Sequence, residues 1–183
     1  NEWPDMTGTA GRMRPEYASI IRICLYMEKL GVDVAFIPCI TAHYFIEDIK
    51  KATTLPIINV IEETSKCVGS AYPNAVTIGI LATDGTVNSK LFNRYFDGKY
   101  KVIYPNALIQ KTVMDAIYGA KGIKSSHNNE YAKSIVINAV ENLVKKGSDV
   151  IIAGCTELSL VIHTEYDVIP IINPMDVAID KVV

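Results

Sequence analysis

The 183-residue sequence has few of the features that mark membrane proteins or nucleic-acid-binding proteins. No apolar run approaches the roughly 20 residues needed to cross a bilayer. The basic residues are scattered and the net charge is −2, so we expect neither nucleic acid nor a membrane as a partner. Hydrophobic residues make up 49% of the chain and charged residues 21%, which is ordinary for a globular protein.

Cysteine is scarce as well, with four residues that form no Cys-x-x-Cys pair: Cys24, Cys39, Cys67 and Cys155. No histidine lies at zinc-finger spacing from them, so we expect no metal site. A chain of this length can bury a sufficient core without disulfides. We therefore expect reduced thiols and a cytoplasmic protein.

What the sequence does contain is an alternation of short apolar runs and longer amphipathic segments. Most of the runs are apolar at nearly every position, which is typical of strands covered on both faces. The predicted strands are 34–38, 56–60, 76–81, 100–104, 150–153 and 168–172. The predicted helices are 16–30, 44–52, 61–71, 88–96, 107–118, 129–146 and 175–183. This order predicts an α/β fold built on parallel sheets.

The sequence also contains an internal repeat. Residues 27–39 and 143–155 share Lys, Gly, Asp, Val and Cys at a constant offset, 155 − 39 = 116. Pro-Ile-Ile-Asn occurs at 56–59 and again at 170–173, at an offset of 170 − 56 = 114. Two matching segments in the same order indicate a duplicated unit. Gly31 and Gly147 follow the predicted helices where a residue with positive φ ends a helix.

In each repeat a cysteine, Cys39 or Cys155, follows an apolar strand just before residues that begin a helix. Ligands of open α/β sheets bind beyond the carboxyl ends of the strands. Amide groups and the positive end of a helix dipole at that position favour a thiolate. If a pseudo-twofold axis relates the halves, the two thiols would flank one ligand from opposite sides.

Opposed thiols suit racemisation, which needs a base on one face of a carbon and an acid on the other. A free thiol has a pKa of about 8.5, so one cysteine can be thiolate while the other stays protonated. Hydroxyls and amides around the carboxylate can stabilise the carbanion. No lysine stands out as a pyridoxal site, so we expect no cofactor. Four threonines lie at predicted strand ends as such donors: Thr41, Thr83, Thr86 and Thr156.

Structural roles remain open for all of these residues. Cys39 and Cys155 could be small core residues, which most free cysteines are. Two charged residues that are further site candidates also have structural interpretations. Glu157 could be an acidic residue in the first turn of a helix, and Lys124 could be a solvated charge in a loop. His43, on the first helical turn after Cys39, could orient the site or serve only the structure.

Several motifs resemble those of the aspartate/glutamate racemase family. Pro-Cys-Ile-Thr-Ala-His at 38–43 and Gly-Cys-Thr-Glu-Leu at 154–158 look like its two cysteine motifs. Residues 79–86 resemble its middle strand and loop. Gln110, residues 113–119 and 122–124, and Pro-Asp-Met-Thr at 4–7 resemble the aspartate racemase branch. The resemblance runs from residue 4 to the C-terminus.

The resemblance implies two pseudo-symmetric parallel-sheet lobes with the active site between them. The lobe boundaries it predicts are 1–73 plus 171–183 for the first lobe and 74–170 for the second. It also implies a homodimer that racemises a small amino acid, aspartate or another acidic one, without pyridoxal phosphate.

Residue roles follow from the same resemblance. Cys39 and Cys155 would be the acid and base, and Glu157 would assist Cys155. Thr41 and Thr156 would hold the α-carboxylate, and Lys124 would attract the side-chain carboxylate. Asp5, in the 4–7 loop, and His43 complete the predicted substrate-binding residues.

Three features depart from the family pattern. Ile40 stands where the family usually has a substrate-binding Asn, and Met6 stands where the aspartate branch has Arg. The family's opening strand and glycine-rich loop have no counterpart, because Asn1 already lies past that point. We expect either a fragment or a partner or rearrangement that covers the exposed sheet edge.

The sequence is also compatible with a related carbanion enzyme of the hydantoin racemase, maleate isomerase or decarboxylase type. A further alternative is a lapsed or truncated racemase that binds amino acids or serves in assembly. Two retained cysteines favour racemisation over the decarboxylase type. A thiol-redox protein is disfavoured, because the cysteines lie 155 − 39 = 116 residues apart without a resolving neighbour.

Overall fold

A computed structural model describes residues 15–125, 130–162 and 168–182. Within them, all paired strands are parallel. The strands are β1 Ala35–Phe36, β2 Ile57–Ile58, β3 Thr77–Leu81, β4 Lys101–Ile103, β5 Val150–Ala153 and β6 Ile171–Ile172. Strands β1 and β2 form one sheet, and the second sheet has the order β4-β3-β5-β6. The predicted α/β fold with parallel sheets is therefore confirmed.

The helices connect these strands and lie on both sides of the larger sheet. They are α1 Pro15–Lys29, α2 Ile46–Ala52, α3 Val60–Ala71, α4 Asp84–Asn88, α5 Asn93–Phe96, α6 Ala107–Tyr118, α7 Glu130–Lys145 and α8 Pro174–Ile179. Two 3-10 helices, Ile40–Phe45 and Leu158–Leu160, follow the two repeat cysteines. No helix among the described residues is both long enough and apolar enough to cross a membrane.

One helix prediction was wrong. The segment 88–96, expected to be a continuous helix, contains the end of α4, a turn and α5. Lys90 lies in the turn with φ at 50°. Leu91 and Phe92 lie in the same turn and are fully buried in the core. Tertiary burial overrides the local helical pattern here.

The larger sheet is buried on both faces, and its central strands are apolar at nearly every position, with Thr77 of β3 as the polar exception. Side chains alternate along a strand, so Ile151 and Ala153 of β5 pack under α6 and α7. Val150 and Ile152 point to the opposite face, where they pack with α3 and α8. Burying such side chains supplies roughly 1.5–3 kcal/mol each, which makes this sheet the main core of the molecule.

The smaller sheet has its own core. Cys24 of α1, Ile46 and Ile49 of α2, and Ile57 of β2 are buried together. Cys24 is therefore a packing residue, as its position among apolar helix residues suggests. Strand β1 is only half-buried, unlike β5, its repeat equivalent.

The structure reproduces the internal repeat. Gly31 and Gly147, which follow α1 and α7, have φ values of 73° and 86°. Asn59 and Asn173, the last residues of the two Pro-Ile-Ile-Asn segments, cap α3 and α8 by accepting backbone N–H groups. The shared sequence thus encodes the same helix end, strand and helix start twice.

The segment 171–183 makes contacts with both predicted lobes. Its strand β6 is hydrogen-bonded to β5 of the second lobe. Its helix α8 packs on α3 of the first lobe, with Val177 and Ala178 in the same core as Val60. The lobes therefore share this core, and the exact boundary at residue 171 stays a prediction.

Gly147→Ala should lower the free energy of unfolding by about 1–2 kcal/mol, because an L side chain is strained at positive φ. No heavy atom lies within 4 Å of a Cβ at this position, so a steric clash plays no part. Urea denaturation measures the loss. Gly147→Asn is the matched control and should cost less, since Asn tolerates this conformation. Equal losses in both variants would contradict the backbone explanation.

Candidate active site

Cys39 lies three residues beyond β1 and is exposed. It stands at the N-cap position of the 3-10 helix Ile40–Phe45, with φ at −132° and ψ at 106°. Its carbonyl accepts the amide of Ala42 at 3.1 Å and Nδ1 of His43 at 3.0 Å. The backbone of Cys39 is thus held by the residues that follow it while its side chain faces solvent.

His43 fixes this segment to the start of α3. The ring is 1% exposed, and its Nε2 accepts the amide of Val60 at 3.3 Å. An accepting Nε2 carries no proton, so Nδ1 carries it and donates to the Cys39 carbonyl. Burial lowers the pKa of His43 to about 4, which keeps the ring in this neutral form. Its role as a substrate-binding residue stays a prediction, and both ring nitrogens already have protein partners.

Cys155 lies two residues beyond β5 and is buried, with 8% of its surface exposed. Gly154 precedes it and donates its amide to the Leu81 carbonyl at 2.7 Å. A Cβ on Gly154 would lie 2.9 Å from the Phe92 ring, so only glycine fits this close approach between β5 and β3. This packing fixes the backbone that presents the Cys155 thiol.

The Cys155 thiol donates to Oε2 of Glu157 at 2.9 Å. Burial, and then the adjacent carboxylate, raises the pKa of Cys155 well above its ordinary value. The thiol is therefore protonated in this arrangement. Cys155 is set up to give a proton, with Glu157 placed to accept one from it.

Glu157 is held by three donors. Oε2 also accepts the hydroxyl of Thr156 at 3.0 Å, and Oε1 pairs with Nζ of Lys124 at 3.0 Å. Burial would raise the pKa of Glu157, but the hydrogen bonds from Cys155 and Lys124 outweigh it and the pKa is lowered. Burial likewise opposes the charge of Lys124, yet Glu157 raises its pKa. Both groups are ionised, and they form a cluster with Cys155.

Tyr118, at the end of α6, interacts electrostatically both with this cluster and with Cys39. The Lys124 ammonium lies 4.7 Å from the centre of its ring, a cation–π contact. Burial raises the pKa of Tyr118, Lys124 opposes the rise, and Cys155, Glu157 and Cys39 add to it. The two cysteines therefore lie within electrostatic reach of one phenol.

A cluster of three buried hydroxyls joins the segment after Cys39 to the segment after β3. Thr41, two residues after Cys39, lies 2.8 Å from Thr86 and 3.2 Å from Thr83 between oxygen atoms. Thr83 occupies the N-cap position of the short helix after β3 without a side-chain capping bond, and Thr86 lies within that helix. Thr41 is 7% exposed and Thr86 is fully buried, so Thr41 is better placed to meet a ligand.

The structure thus brings most predicted site residues into two groups. Glu157, Thr156 and Lys124 gather around Cys155, and Thr41 with its two hydroxyl partners lies two residues from Cys39. Asp5 and Met6 lie outside the described residues. Ile40, where the family has a polar residue, is 3% exposed and packs in the core.

Two residues near the site were not singled out from the sequence. Tyr118 lies within the 113–119 motif, but no role was predicted for it, because its contact depends on the loop that returns Lys124 to it. Gln110 was noted only within a motif, and its Nε2 donates to the Ala82 carbonyl at 3.0 Å and to Asp84 at 2.8 Å. One clue to this position is the helical spacing: Gln110 lies four residues before Met114, so both side chains lie on the same face of α6. The sulfur of Met114 likewise contacts Asp84, by accepting its amide.

The described part of the chain contains no group of three or more His, Cys, Asp or Glu residues placed to hold a metal ion. What the site offers is two thiols, a carboxylate, an ammonium and several hydroxyls. Groups of these kinds can take up and release protons and bind a carboxylate, which suits them to the class of proton-transfer reactions on small acids.

Comparison with known proteins identifies the family within that class. The family model for Asp/Glu/hydantoin racemases matches residues 4–182. The chain therefore belongs to the Asp/Glu/hydantoin racemase family, and the resemblance seen in the cysteine motifs is confirmed.

Curated relatives include enzymes with different substrates. The chain is 28% identical over 155 residues to the broad specificity amino-acid racemase RacX of Bacillus subtilis (strain 168), covering 85% of this chain and 65% of RacX. It is 27% identical over 147 residues to a glutamate racemase of Sulfurihydrogenibium sp. (strain YO3AOP1), covering 80% of this chain and 54% of that protein. The chain thus spans less than two thirds of the length of these relatives.

Solved structures support the fold. The aspartate racemase of Picrophilus torridus superposes with a TM-score of 0.72 at 22% identity, covering 88% of this chain and 65% of that one. The predicted two-lobed racemase fold is confirmed by this match.

Iodoacetamide should alkylate Cys39 roughly tenfold faster than Cys155, or more, because Cys39 is exposed and Cys155 is a buried thiol with a raised pKa. Peptide mapping by mass spectrometry gives both rates from one sample. Cys24, 5% exposed in a separate core, serves as the unreactive internal control. Equal rates at the two site cysteines would contradict the described geometry.

His43 should make stability fall as the pH falls from about 6.5 to about 4 and then level off. Its pKa is about 4 in the folded chain and 6.5 when exposed, so the unfolded chain takes up the proton first. That difference corresponds to about 3 kcal/mol. Urea titrations at several pH values measure it, and His43→Gln removes this titration while carboxylates contribute alike to both proteins. Parallel curves for the two proteins would refute the assignment.

Proposed function

We propose that this chain carries the two proton-transfer residues of a cofactor-independent amino-acid racemase. The observation that supports it is the pairing of Cys155, a thiol held on Glu157, with an exposed Cys39 that acts electrostatically on the same phenol. The two cysteines occupy equivalent positions in a duplicated unit. The proposal requires that a ligand near Tyr118 lie between them.

In the proposed reaction Cys39, as thiolate, removes the α-proton of the amino acid. The C–H bond breaks, an S–H bond forms on Cys39, and the electron pair passes into the α-carboxylate as an enolate. Cys155 then gives its proton to the opposite face, which forms the new C–H bond and leaves a thiolate on Cys155. The reverse transfer converts the other enantiomer. Paired acid and base groups typically contribute 10²–10⁴-fold each.

The substrate proposed is an amino acid with an acidic side chain. Thr41 and Thr156 provide hydroxyls near the two cysteines for the α-carboxylate, whose negative charge increases as the proton leaves. Lys124 provides a cation near Cys155, since its ammonium lies 3.0 Å from Glu157, which also accepts the Cys155 thiol. An ammonium so close to the reacting thiol favours a substrate with a second carboxylate. The reaction needs reduced thiols, which fits a reducing compartment.

A second candidate is a racemase-like module that binds an amino acid without racemising it. The specific observation in its favour is Ile40, whose side chain packs in the core at 3% exposure. The position next to Cys39 therefore offers no polar side chain to the substrate. Binding would then depend on the threonines and Lys124 alone.

Loss of the α-proton signal in D₂O, followed by NMR, tests the proposal with both enantiomers of aspartate and glutamate and a panel of neutral amino acids. Cys39→Ala and Cys155→Ala should each reduce the exchange by about 10²-fold or more, because each removes one acid/base group. Cys67→Ala is the matched control, since Cys67 lies half-buried on α3 away from the site. It should exchange at the wild-type rate.

The outcomes separate the two candidates. Exchange that survives both cysteine substitutions would overturn the racemase mechanism. A thermal shift on adding an amino acid, without exchange of any of them, would support the binding module instead.

A further inference from the structure

Glu157 connects Lys124 to Cys155 through its two oxygen atoms. Oε1 accepts Lys124 at 3.0 Å, while Oε2 accepts the Cys155 thiol at 2.9 Å and the Thr156 hydroxyl at 3.0 Å. Both oxygens of the carboxylate are thus occupied. Any change at Lys124 alters the charge that Cys155 meets on the other side of the same group.

Among the three linked side chains of Lys124, Glu157 and Cys155, that of Lys124 is the one that can move. Its side chain is 42% exposed, against 23% for Glu157, so it is in contact with solvent and with any ligand that enters. A lysine has a long flexible stem and three donors, so it can change partners without losing its hydrogen bonds. The Tyr118 ring lies 4.7 Å from the ammonium and holds it beside the site as it does so.

We propose that Lys124 couples the side chain of the substrate to the protonation of Cys155. Without an acidic substrate, Lys124 pairs with Glu157, and Cys155 keeps its proton. When an amino acid with a side-chain carboxylate binds, that carboxylate draws Lys124 away and frees Glu157 to accept the proton from Cys155. The idea rests on the proposed racemase function and assigns Lys124 a part in specificity beyond attraction.

The proton transfer in this step balances. The S–H bond of Cys155 breaks, an O–H bond forms on Oε2 of Glu157, and a thiolate remains that can take an α-proton. The Lys124 ammonium also lowers the pKa of Cys155, but it lies directly against Oε1 of Glu157, so it stabilises the carboxylate more than the thiolate and opposes the transfer. Its removal favours the transfer. Neutral amino acids, which give Lys124 no new partner, leave Cys155 a thiol that can only donate.

Alanine separates this role from simple attraction of a carboxylate, because alanine has no second carboxylate to lose. Lys124→Met should slow α-proton exchange of aspartate, yet raise by about tenfold that of the alanine enantiomer whose α-proton faces Cys155, because loss of the ammonium raises the pKa of Glu157. In a Glu157→Gln background, Lys124→Met should not raise alanine exchange, because the ammonium then acts on Cys155 only by lowering the pKa of its thiol. Lys121→Met is the matched control: Lys121 lies three residues away, with its ammonium 6.0 Å from the centre of the Tyr131 ring. It should change neither rate.

A second measurement does not depend on turnover. Titration of the Glu157 carboxyl carbon by ¹³C NMR, assigned by its loss in Glu157→Gln, should show a higher pKa when succinate is added and no change with propionate. In Lys124→Met the pKa should be high without any ligand. If succinate leaves Glu157 unchanged, or Lys124→Met leaves alanine exchange unchanged, the coupling is wrong. If the wild-type protein exchanges no amino acid, the proposed function fails, and the titration still decides on the coupling.

Discussion

The structure depends on strand β5, which is hydrogen-bonded to β3 on one side and β6 on the other. All four of its residues are buried, so the strand has one register that keeps its apolar side chains inside. Asp149, just before it, accepts the amides of Val76 and Thr77 at 2.8 Å and joins β5 to the start of β3. The carboxyl end of β5 is consequently one of the best fixed points of the molecule, and Cys155 follows two residues later.

The two cysteines differ because their surroundings differ, although the repeat places them alike. Cys155 lies beyond a strand with neighbours on both sides and has a carboxylate two residues on. Cys39 lies beyond the half-buried β1 and is held through its carbonyl by His43. The duplicated backbone thus carries one buried thiol with a hydrogen-bond acceptor and one exposed thiol. A pair with identical surroundings would not differ in this way.

The sequence predicts the strands well because 150–153 is apolar throughout and 76–81 nearly so, which leaves few alternatives. It predicts the two glycine turns because these rest on local backbone chemistry, whereas the caps formed by Asn59 and Asn173 were not predicted from the repeat that contains them. It fails at 88–96, where burial of Leu91 and Phe92 breaks the helix. It could propose Lys124 and Glu157 only by resemblance, because the ion pair between them depends on how the loop after α6 returns to the end of β5. The tautomer of His43 likewise depends on Val60, 17 residues away.

The hydroxyl cluster of Thr41, Thr83 and Thr86 has a consequence for how the two halves of the molecule meet near the site. Apolar side chains at this junction would lose their full burial energy if the halves moved apart, whereas a hydroxyl can replace its protein partner with water. Each such bond contributes only about 0.5–1.5 kcal/mol net. Separating the hydroxyls beside Cys39 would therefore cost less free energy than separating an apolar contact of the same size in the core beneath the sheet.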